Sequence, residues 1–168
     1  MTGSFFERGP KRSDMLTITN TILLIEDNAD DAAALRRTLK AAGIGNDVQL
    51  VTDGREAIAY LRGESRFGDR TKYPLPFLVF LDLTLPRLSG FEVLTWLRAR
   101  PELQGIAVVV TTGSQAVLDQ QRAYALGARS YQIKPLRPED LHQLMRSMQL
   151  WWSRLGETDP IVPSSGCA

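Results

Sequence analysis

Five short runs of apolar and β-branched residues divide the chain, and stretches with helical period fill the gaps between them. The runs are Thr21 to Glu26, Val48 to Thr52, Phe77 to Asp82, Ile106 to Thr111 and Arg129 to Ile133. The third is apolar almost throughout, as a parallel strand covered on both faces must be. After the first run, Asn28 or Asp30 can cap a helix that carries Leu35, Leu39 and Ala42 on one side and stops at Gly43. Asp53-Gly54 turns the second run into a helix striped by Ala57, Ile58 and Leu61. Ser89 caps a third helix striped by Phe91, Leu94 and Leu97. A weaker helix runs from Ala116 to Leu126 and is closed by Gly127. The last begins near Pro138, with Leu141, Leu144, Met145, Met148 and Trp152 on one face. Five β–α units in succession predict an α/β fold: a right-handed, doubly wound, five-stranded parallel sheet with helices on both faces.

Two segments interrupt this regularity. Gly63 to Pro76 is polar, rich in Gly, Arg and Pro, and long for a connection inside a compact domain. At the end of the last helix, Trp152 and Leu155 continue the core stripe, Trp151 lies at its edge and Leu150 on the opposite side. Adjacent tryptophans cannot both face one core. Exposed aromatic and leucine surface marks a partner interface. A homodimer through Leu150, Trp151, Trp152 and Leu155 is therefore expected. Residues 1–20 are mostly polar and predict a flexible leader, 21–155 form the domain, and 156–168 predict a disordered tail.

Composition narrows the picture without naming a function. A length of 168 residues suits one domain, and 43% hydrophobic residues can supply its core. Lys+Arg 20 against Asp+Glu 19 leaves a net charge of +1, which gives no sign of a nucleic-acid surface. Cys167 is the single cysteine, so no internal disulfide can form and a reducing compartment is expected. No apolar stretch reaches membrane-spanning length, and the N-terminus lacks the apolar centre of a signal peptide. A cytoplasmic protein without membrane association follows. His142, the only histidine, lies off the apolar stripe and reads as a solvated surface residue.

The chemistry lies at the strand ends. Glu26-Asp27 closes the first run, Asp82 the third and Lys134-Pro135 the fifth. Ligands of open parallel sheets bind outside the carboxyl ends of the strands. The topology would thus gather three carboxylates and an ammonium at one edge. Taken singly, each acid is as well explained by the dipole of a following helix. Together they suit Mg²⁺, which takes carboxylate oxygens alongside phosphate. A carboxylate so placed can attack phosphorus to give an aspartyl-phosphate, with the metal and the lysine offsetting charge on the transferring oxygens.

Four segments make a resemblance specific: Ile22-Leu-Leu-Ile-Glu26-Asp27-Asn28, Leu81-Asp82-Leu-Thr-Leu-Pro86-Arg-Leu-Ser-Gly90, Val108-Val-Val-Thr111-Thr-Gly113 and Tyr131-Gln-Ile-Lys134-Pro135. In order and approximate spacing they resemble the receiver domain of bacterial two-component response regulators, over about Thr21 to Met148. The resemblance implies the flavodoxin-like (βα)5 fold. It implies Asp82 as phosphoacceptor, Asp27 as a direct metal ligand, Glu26 as an acid acting partly through water, and the Thr84 carbonyl as a further ligand. Lys134 would pair with the acceptor and then with the phosphoryl group, and the Lys134-Pro135 bond would be cis. Thr111 would be the switch hydroxyl, with Thr112 its competitor, and Tyr131 the aromatic that moves with it.

The implied function is that of a stand-alone regulator. It would accept a phosphoryl group from a sensor histidine kinase, using Mg²⁺, and signal by protein–protein contact. Beyond its own phosphorylation and dephosphorylation it would not be an enzyme. The long connection and the aromatic helix end resemble the small regulators that accompany bacterial phytochromes, which points to a bacteriophytochrome as kinase. Competing readings are a phosphorelay intermediate and a receiver-like interaction module indifferent to phosphate. A phosphohydrolase with a similar sheet would need a second acid close after its nucleophile, where this chain has Thr84.

Overall fold

The computed structural model describes residues 18–154. Five strands alternate with five helices: β1 Ile18–Ile25, α1 Ala29–Ala41, β2 Val48–Val51, α2 Gly54–Arg62, β3 Leu75–Leu81, α3 Gly90–Arg98, β4 Ala107–Thr112, α4 Val117–Ala125, β5 Ser130–Ile133 and α5 Pro138–Arg154. All pairings are parallel, in the order β2-β1-β3-β4-β5. This is the doubly wound sheet expected from the alternation of runs.

Strand alternation divides the core into two layers. Leu23, Ile25, Val79, Leu81, Val108 and Val110 pack under α2, α3 and α4. Ile22, Leu24, Leu78, Phe80, Ala107 and Val109 face α1 and α5, meeting Leu35, Leu39, Leu141, Leu144, Met145 and Met148. Every residue of β3 is buried, consistent with its central place.

Helix starts follow local chemistry. Asn28 caps α1, its side chain accepting from the Asp31 N–H at 3.0 Å. Asp53 caps α2 and Ser89 caps α3. At Ser89 the box is reciprocal: its hydroxyl accepts from the Glu92 N–H, and the Glu92 carboxylate accepts from the Ser89 N–H.

Several boundaries and faces differ from the sequence reading. β1 begins at Ile18 and β3 at Leu75, because Ile18 and Leu75 pair across a register shift before regular pairing starts. On α2 the buried positions are Ala57, Tyr60 and Leu61, and Ile58 is only half-buried. On α3 Val93 is buried where Phe91 was expected. Both misplaced residues sit beside the true i, i+3, i+4 stripe. The Phe91 ring is instead covered by the Arg122 guanidinium, 4.1 Å from its centroid.

The segment after α2 is built, not open. A 3-10 turn at Ser65–Phe67 buries Phe67, whose ring stands 5.2 Å from Tyr60 and 5.1 Å from Tyr73. Arg70 reaches back to donate to the carbonyls of Tyr60 (2.7 Å), Leu61 (2.8 Å) and Tyr73 (3.2 Å). Two of these are carbonyls of the last turn of α2, which have no partner within the helix. The Tyr60 hydroxyl donates to the Pro74 carbonyl at 2.8 Å.

The backbone of α5 continues through Leu150, Trp151 and Trp152, but their side chains, Leu155, residues 1–17 and the tail from Leu155 onward lie outside the described residues. The leader, tail and aromatic interface therefore remain expectations. Among the described residues, no helix is long and apolar enough to cross a membrane.

Candidate functional site

Strand pairing fixes where the acids stand. The Asp82 N–H donates to the Ile25 carbonyl at 3.1 Å, and the Glu26 N–H donates to the Val51 carbonyl at 3.0 Å. Three adjacent strands thus end level, and Glu26, Asp27 and Asp82 emerge together. One oxygen from each lies within 4.8 Å of the others. Glu26 and Asp82 are buried, while Asp27 is exposed. An all-oxygen, carboxylate-rich set open on one side suits a hard divalent cation such as Mg²⁺ or Mn²⁺.

Lys134 enters from the end of β5, beyond a Thr112 carbonyl that accepts its backbone N–H at 2.8 Å. Its ammonium touches three carboxylates: Glu26 at very short range, Asp31 at 3.0 Å and Asp82 at 3.4 Å. The Lys134-Pro135 peptide bond is cis. Burial pushes the Glu26 carboxyl above its ordinary range, partly offset by its bonds to Lys134 and to the Asn28 N–H. Burial works against the lysine charge, but the bonds to Glu26 and Asp31 and the fields of Asp82 and Glu26 outweigh it, so Lys134 is held above its ordinary value. The ammonium stays charged at neutral pH.

Asp82 keeps its other oxygen on the Thr84 N–H at 3.1 Å. The following loop is pressed against it by α3. At Gly90 a Cβ would lie 2.3 Å from the Asp82 carbonyl oxygen and 2.7 Å from the Leu83 Cα, so only glycine allows that approach. Arg87 in the same loop has φ 66° and pairs with Asp53 at 3.5 Å. Thr111 is buried on the next strand. Together Glu26, Asp82, Lys134, Thr84, Thr111 and Asp31 line a cleft of about 430 Å³, walled on one side by Ala34, Leu35, Pro135 and Leu136.

Tyr131 lies one strand from the cleft and is buried, its hydroxyl donating to the Ser114 carbonyl at 2.9 Å. Burial raises the pKa of that hydroxyl. The Ser114 hydroxyl donates to Asp119 at 2.7 Å and accepts from the Ala116 N–H at 3.3 Å. Tyr131 is therefore tied through one loop residue to the start of α4. Two apolar residues there, Val117 and Leu118, are exposed.

The structure brings together Glu26, Asp27, Asp82, Thr84, Thr111 and Lys134, with Tyr131 nearby. It keeps His142 on the surface, with Nε2 2.8 Å from the Ala42 carbonyl. It adds Asp31, which the sequence reading passed over. The available signal was an acid three residues beyond the Asn28 cap, one turn above Glu26 and Asp27.

Comparison with known proteins agrees with this geometry. The family described as response regulator receiver domain matches residues 22–146. Two curated relatives are similar over most of their length. One is the "Probable methanogenesis regulatory protein FilR2" of Methanothrix harundinacea, 38% identical, covering 78% of this chain and 82% of the relative. The other is "Response regulator Rcp1" of Synechocystis sp., 32% identical, covering 83% and 93%. The structure of Rcp1 in its Mn²⁺-bound form matches with a TM-score of 0.63, at 32% identity, covering 79% of this chain and 93% of that one. The phosphorylated cyanobacterial phytochrome response regulator RcpA matches with a TM-score of 0.66, at 32% identity, covering 82% and 96%.

Proposed function

The chain belongs to the response regulator receiver domain family, and from that premise we propose that Asp82 accepts a phosphoryl group from the phosphohistidine of a partner kinase. The observation that carries this reading is the convergence of the Lys134 ammonium and the carboxylates of Glu26 and Asp82 in one cleft, with Asp27 beside them. Glu26, Asp27 and Asp82, together with the Thr84 carbonyl, would hold Mg²⁺. When bound, the cation supplies charge compensation for the phosphoryl oxygens.

The chain's own residues do the rest. An Asp82 carboxylate oxygen forms the new bond to phosphorus as the phosphorus–nitrogen bond of the donor breaks, and the imidazole nitrogen keeps the electron pair. Lys134 donates to the transferred oxygens. Thr111 offers its hydroxyl to the same group, and Tyr131 carries the change to α4 through Ser114. The output is a contact with another protein, and the chain turns over nothing but its own aspartyl-phosphate. Similarity to the phytochrome response regulator RcpA supports a phytochrome-type kinase as donor. A second copy of the chain joined through Leu150, Trp151, Trp152 and Leu155 is the expected assembly.

Intact mass after incubation with phosphoramidate tests the central reading. Wild type with Mg²⁺ should gain one phosphoryl group, and Asp82→Asn should gain none. An adduct on Asp82→Asn, or none on Mg²⁺-treated wild type, would remove Asp82 from its role.

A further inference from the structure

A second cavity, of about 300 Å³, opens away from the acid cleft, where α3 and α4 end and β4 and β5 begin. Its floor is apolar, lined by Leu97, Leu103, Ile106 and Val108. Val108 is 5% exposed, whereas Val109 and Val110 after it are 0%, so the opening reaches the sheet itself. Its rim is basic. Arg98 and Arg129 stand exposed at the mouth, and among the described residues no carboxylate lines it. Arg98 donates to the Ala125 carbonyl and so ties the end of α3 to the end of α4. A guanidinium has five donors and keeps its charge, so one carbonyl does not exhaust it. Ligand pockets start at about 300 Å³, so this one suits a few side chains better than a cofactor. An apolar floor under a positive rim fits a segment that is acidic and then apolar.

The chain itself carries such a segment. Beyond α5 it reads Leu155-Gly-Glu157-Thr-Asp159-Pro-Ile161-Val162-Pro163, and no lysine, arginine or histidine follows as far as Ala168. The course of α5 brings this segment within reach. α1 begins beside the acid cleft and ends at Ala41, and the His142 Nε2 lies 2.8 Å from the Ala42 carbonyl. The turns of α5 after His142 therefore lead away from the cleft. The eight residues from Arg154 to Val162 can span about 26–29 Å when extended. Crossing from one face of the sheet to the other takes roughly 20 Å, at about 10 Å per packed layer. The leader fits less well, since Arg8, Lys11 and Arg12 outnumber Glu7 and Asp14 and repel the same rim.

We propose that the chain's own residues 157–162 dock in this cavity, with Ile161 and Val162 on the apolar floor and Glu157 and Asp159 against Arg98 and Arg129. Composition alone predicts disorder there, but a tether raises the effective concentration to the order of mM, where a weak site suffices. The docked segment bridges the ends of α3 and α4. The inference does not depend on Asp82 as acceptor.

Cys167 makes the test direct. It is the single cysteine and lies five positions beyond Val162, so a nitroxide on it reports where the segment goes in the whole chain. Amide NMR signals of Ile106, Gly127 and Arg129 should broaden and recover when the nitroxide is reduced. Ile161→Ser with Val162→Ser should lower the docked-to-undocked ratio at least roughly tenfold, the scale of burying one such side chain. Asp159→Lys should lower it roughly twofold to fivefold, the scale of one exposed ion pair. Broadening that misses these three amides overturns the proposal, as does broadening that the double serine variant leaves unchanged. In a mixture of nitroxide-bearing chains and isotope-labelled chains without nitroxide, the effect should be absent. Broadening confined to that mixture would place the segment on a second copy and overturn docking within one chain.

Discussion

Replacing Lys134 by alanine removes the cation and leaves its three acids in place. Removing one partner of a fully buried pair costs about 3–5 kcal/mol, whereas an exposed pair is worth under about 1 kcal/mol. The Lys134 side chain is 21% exposed and that of Glu26 2%. The cleft is open on the lysine side and closed around the glutamate. The loss should fall between the limits, at about 2 kcal/mol near neutral pH without divalent cations. Its pH dependence is diagnostic. Glu26 already sits above its ordinary pKa through burial, and without Lys134 it loses two influences that lower it. A carboxyl group raised in the folded state binds more protons folded than unfolded, so stability falls as pH rises through that window. The deficit should therefore be largest near neutrality and shrink as pH falls toward the unfolded glutamate value of 4.5. The raised pKa of Lys134 adds stability to wild type that is complete below 10.5 and is lost as pH rises through its folded value. Urea unfolding in EDTA from about pH 5 to about pH 8 measures the difference across that window. A deficit below about 0.5 kcal/mol at neutrality, or one that grows in acid, would refute the reasoning.

Gly90→Ala should cost about 2 kcal/mol or more in urea unfolding, because its Cβ would meet backbone atoms of Asp82 and Leu83 rather than a yielding side chain; wild-type stability would show that the loop gives way freely. Tyr60→Phe loses the bond to the Pro74 carbonyl and should cost about 1 kcal/mol. In wild type, absorbance titration should show one tyrosine ionising at about 12, and Tyr60→Phe should remove that step. Exchanging Trp151 and Leu155 for serine should yield monomers by light scattering, and a persistent dimer would place the interface elsewhere.

Much of the site was legible because each element is local. A strand end followed by an acid can be read without knowing its neighbours, and the parallel topology then brings Glu26, Asp27, Asp82 and Lys134 together. The caps at Asn28, offered with Asp30 as the alternative, and Ser89 were equally readable from short-range hydrogen bonding. Asp31 was not, since the lysine that gives it meaning lies 103 positions away, and an acid in a first helical turn already has a local explanation. The internal order of the 63–76 segment was not legible for a similar reason. Its polar composition marks only a long connection, whereas its order comes from Arg70 folding back onto carbonyls of α2 and from the Tyr60, Phe67 and Tyr73 rings meeting tilted and edge to face. The faces of α2 and α3 slipped because Ile58 and Phe91 are more apolar than their positions require, and apolarity alone does not fix a helix's rotation.

The course of α5 sets a distance between two events. The helix starts at the edge of the sheet that holds the acid cleft and runs back for 17 residues, about 25 Å, to Arg154. β1, eight residues long, covers a similar length in extended backbone. A copy docked on the aromatic end of α5 would leave the mouth of the cleft uncovered. Each member of such a pair could be charged by its kinase in turn, without first coming apart.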